Sequence, residues 1–217
     1  MGFRRYFLIG FAFRILAGCS DGVLNIQTLP DALLPTDTDD TTTDTETSTD
    51  TVADTVPDTG EITSTPFSGT PFAIPGVVEV EDYDFGGEGV SWHELTAGNN
   101  AGLYREDDVD IGASETGYGI SYVSAGEWLL YTVDVQTTGT YDFTFRSATI
   151  NDERLCRVSF NGIDKTGEIP LTNTGDYNIY VDIVVTGIPL DKGIQTMQLY
   201  AVTHGFNMDF ISIQLSP

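Results

Sequence analysis

From Tyr141 to Arg146 apolar and polar residues alternate without a break: Tyr141, Phe143 and Phe145 against Asp142, Thr144 and Arg146. Successive side chains of a strand point to opposite sides, so a two-residue period buries one face only in a sheet. The same period returns at Leu129, Tyr131, Val133 and Val135, at Ile179, Val181, Ile183 and Val185, and at Ile211, Ile213 and Leu215. Asn161-Gly162 is a strong two-residue hairpin signal. No long amphipathic helical stretch competes with these strands. The pattern predicts an all-β domain over 66–217, a β-sandwich of the jelly-roll kind. Cys156 keeps phase with Val158 and Phe160 and reads as a small core residue rather than a nucleophile or ligand.

Upstream the texture is different. Residues 36–65 are nearly all Thr, Asp and Glu, with no apolar period. Like charges push such a chain open, so 20–65 is expected to be a disordered acidic linker, extending up to ~3.3 Å per residue. Residues 1–19 combine the basic pair Arg4-Arg5, a short apolar run and Leu16-Ala17-Gly18-Cys19, the pattern of a lipoprotein signal peptide. Cys19 would carry the lipid, and an apolar run this short does not make an ordinary spanning helix. Arg4-Arg5-Tyr6-Phe7-Leu8-Ile9 resembles a twin-arginine signal, and Arg14 inside the apolar run departs from an ordinary Sec signal. Ser20 favours the outer membrane. The expectation is a monomer, exported and lipid-anchored at the outer membrane or cell surface.

Charge narrows the partners. The chain carries 33 Asp+Glu against 9 Lys+Arg, a net charge of −24, and no Lys or Arg stands between Arg14 and Arg105. Eleven acids precede residue 66; the other 22 of the 33 meet six bases downstream, a net −16 for the folded part. No basic groove exists to release counterions from a polyanion, so nucleic acid is excluded as a partner.

Three segments together resemble a family 6 carbohydrate-binding module: VVEVEDYDFGGEGVSWHE (77–94), GYGISYVSAGEWLLYTVDVQTTGTYDFTFRSA (117–148) and GFNMDFISIQL (205–215). The resemblance spans nearly all of 72–216 in the right order. It implies a jelly roll that binds polysaccharide without catalysis, holding the sugar between two aromatic rings at the loop end of the sandwich. Tyr122 matches the first ring. Tyr177, in Gly175-Asp176-Tyr177-Asn178-Ile179-Tyr180, matches the second, a position more often Trp in the family. Asn207 matches the amide that bonds sugar hydroxyls, and Asp110 is placed as a completing carboxylate. Rings bind the C–H face of a pyranose while an amide reads its rim, which is chemically sensible. The resemblance assigns Trp128 to structure, strand phase assigns Tyr131 to the core, and Tyr118 stays open. The insert 94–116 is expected to shape the cleft mouth.

Glu79 and Glu81 lie two apart, and on a strand both carboxylates would share a face. Pairing of the terminal strands would bring Asp209 beside them. Three carboxylates suit a hard cation such as Ca2+, and the resemblance places a structural calcium on Glu79, Glu81 and Asp209. No catalytic arrangement stands out: His93 and His204 lack ligand spacing or a nucleophile partner. Two other readings stay open, a structural or adhesive surface protein without sugar binding, and the accessory module of a broken glycoside hydrolase.

Overall fold

The computed structural model describes residues 63–217; the signal sequence, Cys19 and nearly all of the linker lie outside the described residues. Within them the regular structure is all strand. One sheet runs β1 (Phe72–Ile74), β6 (Trp128–Val135), β12 (Gly193–Ala201), β8 (Arg154–Phe160), β10 (Ile169–Leu171), with β3 (Trp92–His93) on β6 and β9 (Ile163–Asp164) on β8. The other runs β11 (Val181–Leu190), β7 (Gly139–Ala148), β13 (Asn207–Leu215), β5 (Tyr118–Ile120), β4 (Ile111–Ala113), with β2 (Gly76–Glu79) on β13. Successive long strands fall in opposite sheets, so the chain crosses the sandwich repeatedly, as a jelly roll does. The first crossing is at Gly76, where a Cβ would collide with the Ala73 carbonyl.

The two-residue period fills the space between the sheets. Leu129, Tyr131, Val133 and Val135 of β6 are buried while Trp128, Leu130, Thr132 and Asp134 are half-exposed. Tyr141, Phe143 and Phe145 of β7 are fully buried. The Phe143 ring meets Phe160 of the opposite sheet edge-on, centroids 6.1 Å apart, a geometry worth ~1 kcal/mol beyond its burial. Cys156 is buried and burial pushes its thiol up to about 12, which leaves it inert.

Two details differ from the expectation. The alternation predicted from Ile179 is inverted at its start: Ile179 is exposed and Tyr180 buried, and β11 begins only at Val181. The cause is a turn, closed by Ile179 N–H donating to the Asp176 carbonyl (3.3 Å). The folded part also begins ahead of Pro66. Thr65 exchanges two backbone hydrogen bonds of 2.8 Å with Phe85, and Ser64 Oγ donates to buried Asp84 (2.7 Å). Asp84 in turn accepts from Thr132 N–H (3.0 Å) and Thr132 Oγ1 (2.6 Å), which ties this segment to β6. Arg105, to which the sequence assigned no role, is a structural cation. Its guanidinium lies 3.6 Å from the Tyr83 ring centroid, pairs with Asp107 at 3.1 Å and donates to the Tyr83 carbonyl. That contact seats the first part of the 94–116 insert on the sandwich.

Candidate functional site

A cleft of ≈540 Å³ opens at one end of the sandwich, lined by Tyr122, Tyr177, Asn178 and Asn207 over a wall of small residues that includes Ala101, Gly112 and Gly205. Three of the four sequence-predicted ligand residues meet there: Tyr122, Tyr177 and Asn207.

Tyr122 follows β5 and is 67% exposed, in a left-handed backbone conformation with φ +53°. A bulky residue rarely adopts that conformation, and surrounding structure must impose it. Here both neighbours are pinned. Ser121 N–H donates to the Asp110 carbonyl (2.8 Å), and the Val123 carbonyl accepts from Gly205 N–H (2.8 Å). With the flanks fixed, the ring has no way into the core and stands in solvent.

Tyr177 sits on a loop built from side-chain-to-backbone turns. Gly175 N–H donates to Asn173 Oδ1 (2.9 Å) and Asn178 N–H to Asp176 Oδ1 (2.8 Å), and a backbone bond from Thr174 N–H to the Thr149 carbonyl (2.8 Å) ties the loop to the end of β7. Asn151 Nδ2 donates to the Tyr177 hydroxyl (3.3 Å) and Asn207 Nδ2 to the Tyr177 carbonyl (3.2 Å). Asn207, first residue of β13, therefore positions the loop while its Oδ1 has no protein hydrogen bond among the described residues. Two rings and a part-free amide can grip a flat, hydroxyl-rimmed ligand.

Asp110 does not join them. It is buried behind the cleft wall, and its two carboxylate oxygens accept from Asn100 N–H and Asn100 Nδ2 (3.1 Å). Both oxygens are thus engaged within the insert, and Asp110 is not among the residues that line the cleft. The cleft's small residues were missed from the sequence because nothing marks an Ala or Gly as a wall before the loops are closed. Of the remaining aromatics, Tyr118 packs at a tilt against Tyr104, centroids 4.7 Å apart, and Trp128 lies against His93 at 6.2 Å. His93 pairs with Glu88, and His204 is exposed.

The acidic trio occupies a different neighbourhood. β2 pairs with β13, Glu79 opposite Phe210, and Val80 N–H donates to the Asp209 carbonyl (3.3 Å). The terminal strands thus meet as expected. The strand reasoning for Glu81 does not hold, because β2 ends at Glu79 and Asp82 N–H closes a turn on the Glu79 carbonyl (3.1 Å). Asp209 is fully buried and accepts from Ser114 Oγ (2.6 Å) and Thr116 Oγ1 (2.9 Å). Burial pushes Glu81 up to about 8, and burial followed by the charge of Asp209 raises Glu79. No three His, Cys, Asp or Glu among the described residues converge into a ready-made metal site. A cation would nonetheless suit the chemistry: Glu81 Oε2 is buried without a hydrogen-bond partner, amid three further carboxylates, Glu79, Asp82 and Asp209.

A two-sheet sandwich with an aromatic-walled cleft at its loop end defines a binding module. The sequence model of the carbohydrate binding module family 6 matches residues 95–214, and the chain belongs to that family of non-catalytic carbohydrate-binding modules. Similar solved structures share the fold. A Clostridium stercorarium module in complex with cellobiose has TM-score 0.53 and 22% identity, covering 68% of this chain and 99% of that one. A Cellvibrio mixtus lichenase 5A module in complex with cellotriose has TM-score 0.51 and 19% identity, covering 66% and 98%. The C-terminal module of LamC, a marine laminarinase from Zobellia galactanivorans, has TM-score 0.50 and 20% identity, covering 64% and 98%. Among curated proteins no sequence match is found.

Proposed function

We propose that this chain binds a β-linked polysaccharide, such as β-glucan, xylan or agarose, by stacking a sugar between Tyr122 and Tyr177 with Asn207 reading its hydroxyls. The observation that carries this reading is the convergence of these three residues, distant in sequence, on one cleft. The neighbours' cellobiose and cellotriose complexes are consistent with it. Exposed Tyr122 presents its face without rearrangement, so little ordering entropy opposes binding. Each ring contributes on the order of 2 kcal/mol, about thirtyfold in affinity.

Calorimetry against β-glucans, laminarin, xylan and agarose tests this. Binding of at least one, lost in Tyr122→Ala and in Tyr177→Ala, is the expected result; tight binding that survives both substitutions rejects the site. A cation held by Glu79, Glu81 and Asp209 would neutralise their buried charge and so stiffen the pairing of β2 with β13; it takes no part in sugar recognition here. In the cell, lipid on Cys19 would hold the protein at the outer surface, the acidic linker carrying the module away from the membrane. Radiolabelled palmitate incorporated by the natural chain and not by Cys19→Ser is the corresponding result.

A further inference from the structure

Arg154 opens β8, and its Nε is buried without a hydrogen-bond partner among the described residues. Buried donors are nearly always satisfied, so such a nitrogen calls for an acceptor from somewhere. The other described arginines have their partners. Arg105 pairs with Asp107, Arg146 with Glu115 and Asp182, and Arg157 lies over the Tyr200 ring at 4.3 Å. No acid lies within ion-pair distance of Arg154 among the described residues.

Its place relative to the cleft is set by Gly205, which lines the cleft with φ +81°. A Cβ there would stand 3.4 Å from Asn151 Nδ2, 3.6 Å from the Tyr177 hydroxyl and 3.9 Å from Arg154 Nε. At this glycine an amide, a phenol and a guanidinium thus gather within van der Waals reach, directly behind the cleft lining. The charge pattern points the same way. Although 22 of the chain's 33 acids lie from residue 66 onward, none lines the cleft. The nearest in sequence are taken or turned away: Asp152 accepts from Asn173, Asp176 from Asn178, and Glu153 is exposed.

We infer that Arg154, with Asn151 beside it, forms a subsite at the Tyr177 end of the cleft that reads an oxyanion substituent, a carboxylate or a sulfate, on the bound sugar. A guanidinium offers a rigid fork of donors that matches such groups, where a hydroxyl engages only one of them. The module's overall negative charge opposes this weakly, because screening at physiological salt acts over ~8 Å while the contact is direct. The inference rests on the cleft being the sugar site.

Two matched pairs test it by calorimetry: glucuronoxylan against its carboxyl-reduced form, and a sulfated galactan against its desulfated form. About tenfold tighter binding of the charged member of either pair is expected, and the pair that shows it identifies the anion. Arg154→Gln should retain binding to the neutral member and lose the preference, while Arg154→Lys retains part of it. Equal affinity within both pairs for the natural chain overturns the inference, whatever the variants do, and leaves the cleft as a neutral-glycan site. A preference that survives in Arg154→Gln also overturns it. Binding to none of the four overturns the inference, while the sugar site itself stands or falls on the β-glucan and laminarin titrations with Tyr122→Ala and Tyr177→Ala.

Discussion

Asn207 and Asp209 stand two residues apart on β13, yet they serve opposite neighbourhoods. Asn207 lines an open cleft of uncharged side chains, where Tyr122 stands in solvent. Asp209 is sealed among hydroxyls and other carboxylates. In an unbroken strand two such residues would share one face. A bulge separates them: the register of β13 against β7 shifts between Met208 and Ile211, and Met208 and Asp209 are both buried. One strand therefore serves a face built for a ligand that comes and goes and a cluster built for permanent burial. Perturbing the first should change affinity and spare the fold. Perturbing the second should do the reverse.

The largest effect is expected at the acidic cluster. If a cation is held there, chelator should lower the melting temperature by roughly 10 °C, with recovery on adding Ca2+, since a ligand present at ~1,000 times its Kd stabilises by about 4 kcal/mol. Asp209→Ala should abolish that response. A melt indifferent to both ions and chelator would dissolve the contrast between the two neighbourhoods.

Next is Tyr122. Its replacement by Ala should cost on the order of 2 kcal/mol in glycan binding, about thirtyfold, with the melt unmoved. Tyr122→Gly sharpens the point, because glycine adopts φ +53° without strain. That variant should lose binding and melt no lower than the natural chain. A coupled fall in stability would mean that the ring is packing rather than platform.

A smaller effect concerns pH. Glu127, in the turn before β6, is buried, and burial followed by a hydrogen bond with Glu94 pushes it up to about 8. In the unfolded chain the same group ionises near 4.5. Between these values the fold holds a proton that the unfolded chain releases, so stability falls as pH rises from about 5 to 8. Glu127→Gln should flatten that slope and melt higher than the natural chain at pH 8, by a few degrees. Parallel slopes for the two proteins would show that Glu127 ionises normally. Smallest of all, Asp110→Asn should loosen the insert through Asn100 and weaken glycan binding by no more than severalfold. A loss as large as that of Tyr122→Ala would return Asp110 to the ligand.

Much of this protein is legible in its sequence because burial of one face of a strand writes itself as a two-residue period. Leu129 to Val135 and Tyr141 to Phe145 could be assigned to the core on phase alone, and Cys156 with them. Tyr122, Tyr177 and Asn207 could be named only through their match to family motifs; their spacing alone is common to many sandwiches. Where local turns intervene the period misleads, as at Ile179, whose phase is inverted by the loop that carries Tyr177, and at Glu81, which lies beyond the end of β2.

What the sequence determined by itself is the sandwich, its inner faces and the acidic balance, since each depends on residues close together in the chain. What only the tertiary structure decided is where the loops close. Asp110 faced inward to Asn100, Arg105 settled on Tyr83, Arg154 came to the edge of the cleft, and the bulge in β13 parted Asn207 from Asp209. These outcomes hang on contacts between segments tens of residues apart and on a single extra residue in one strand. No local period records either of them.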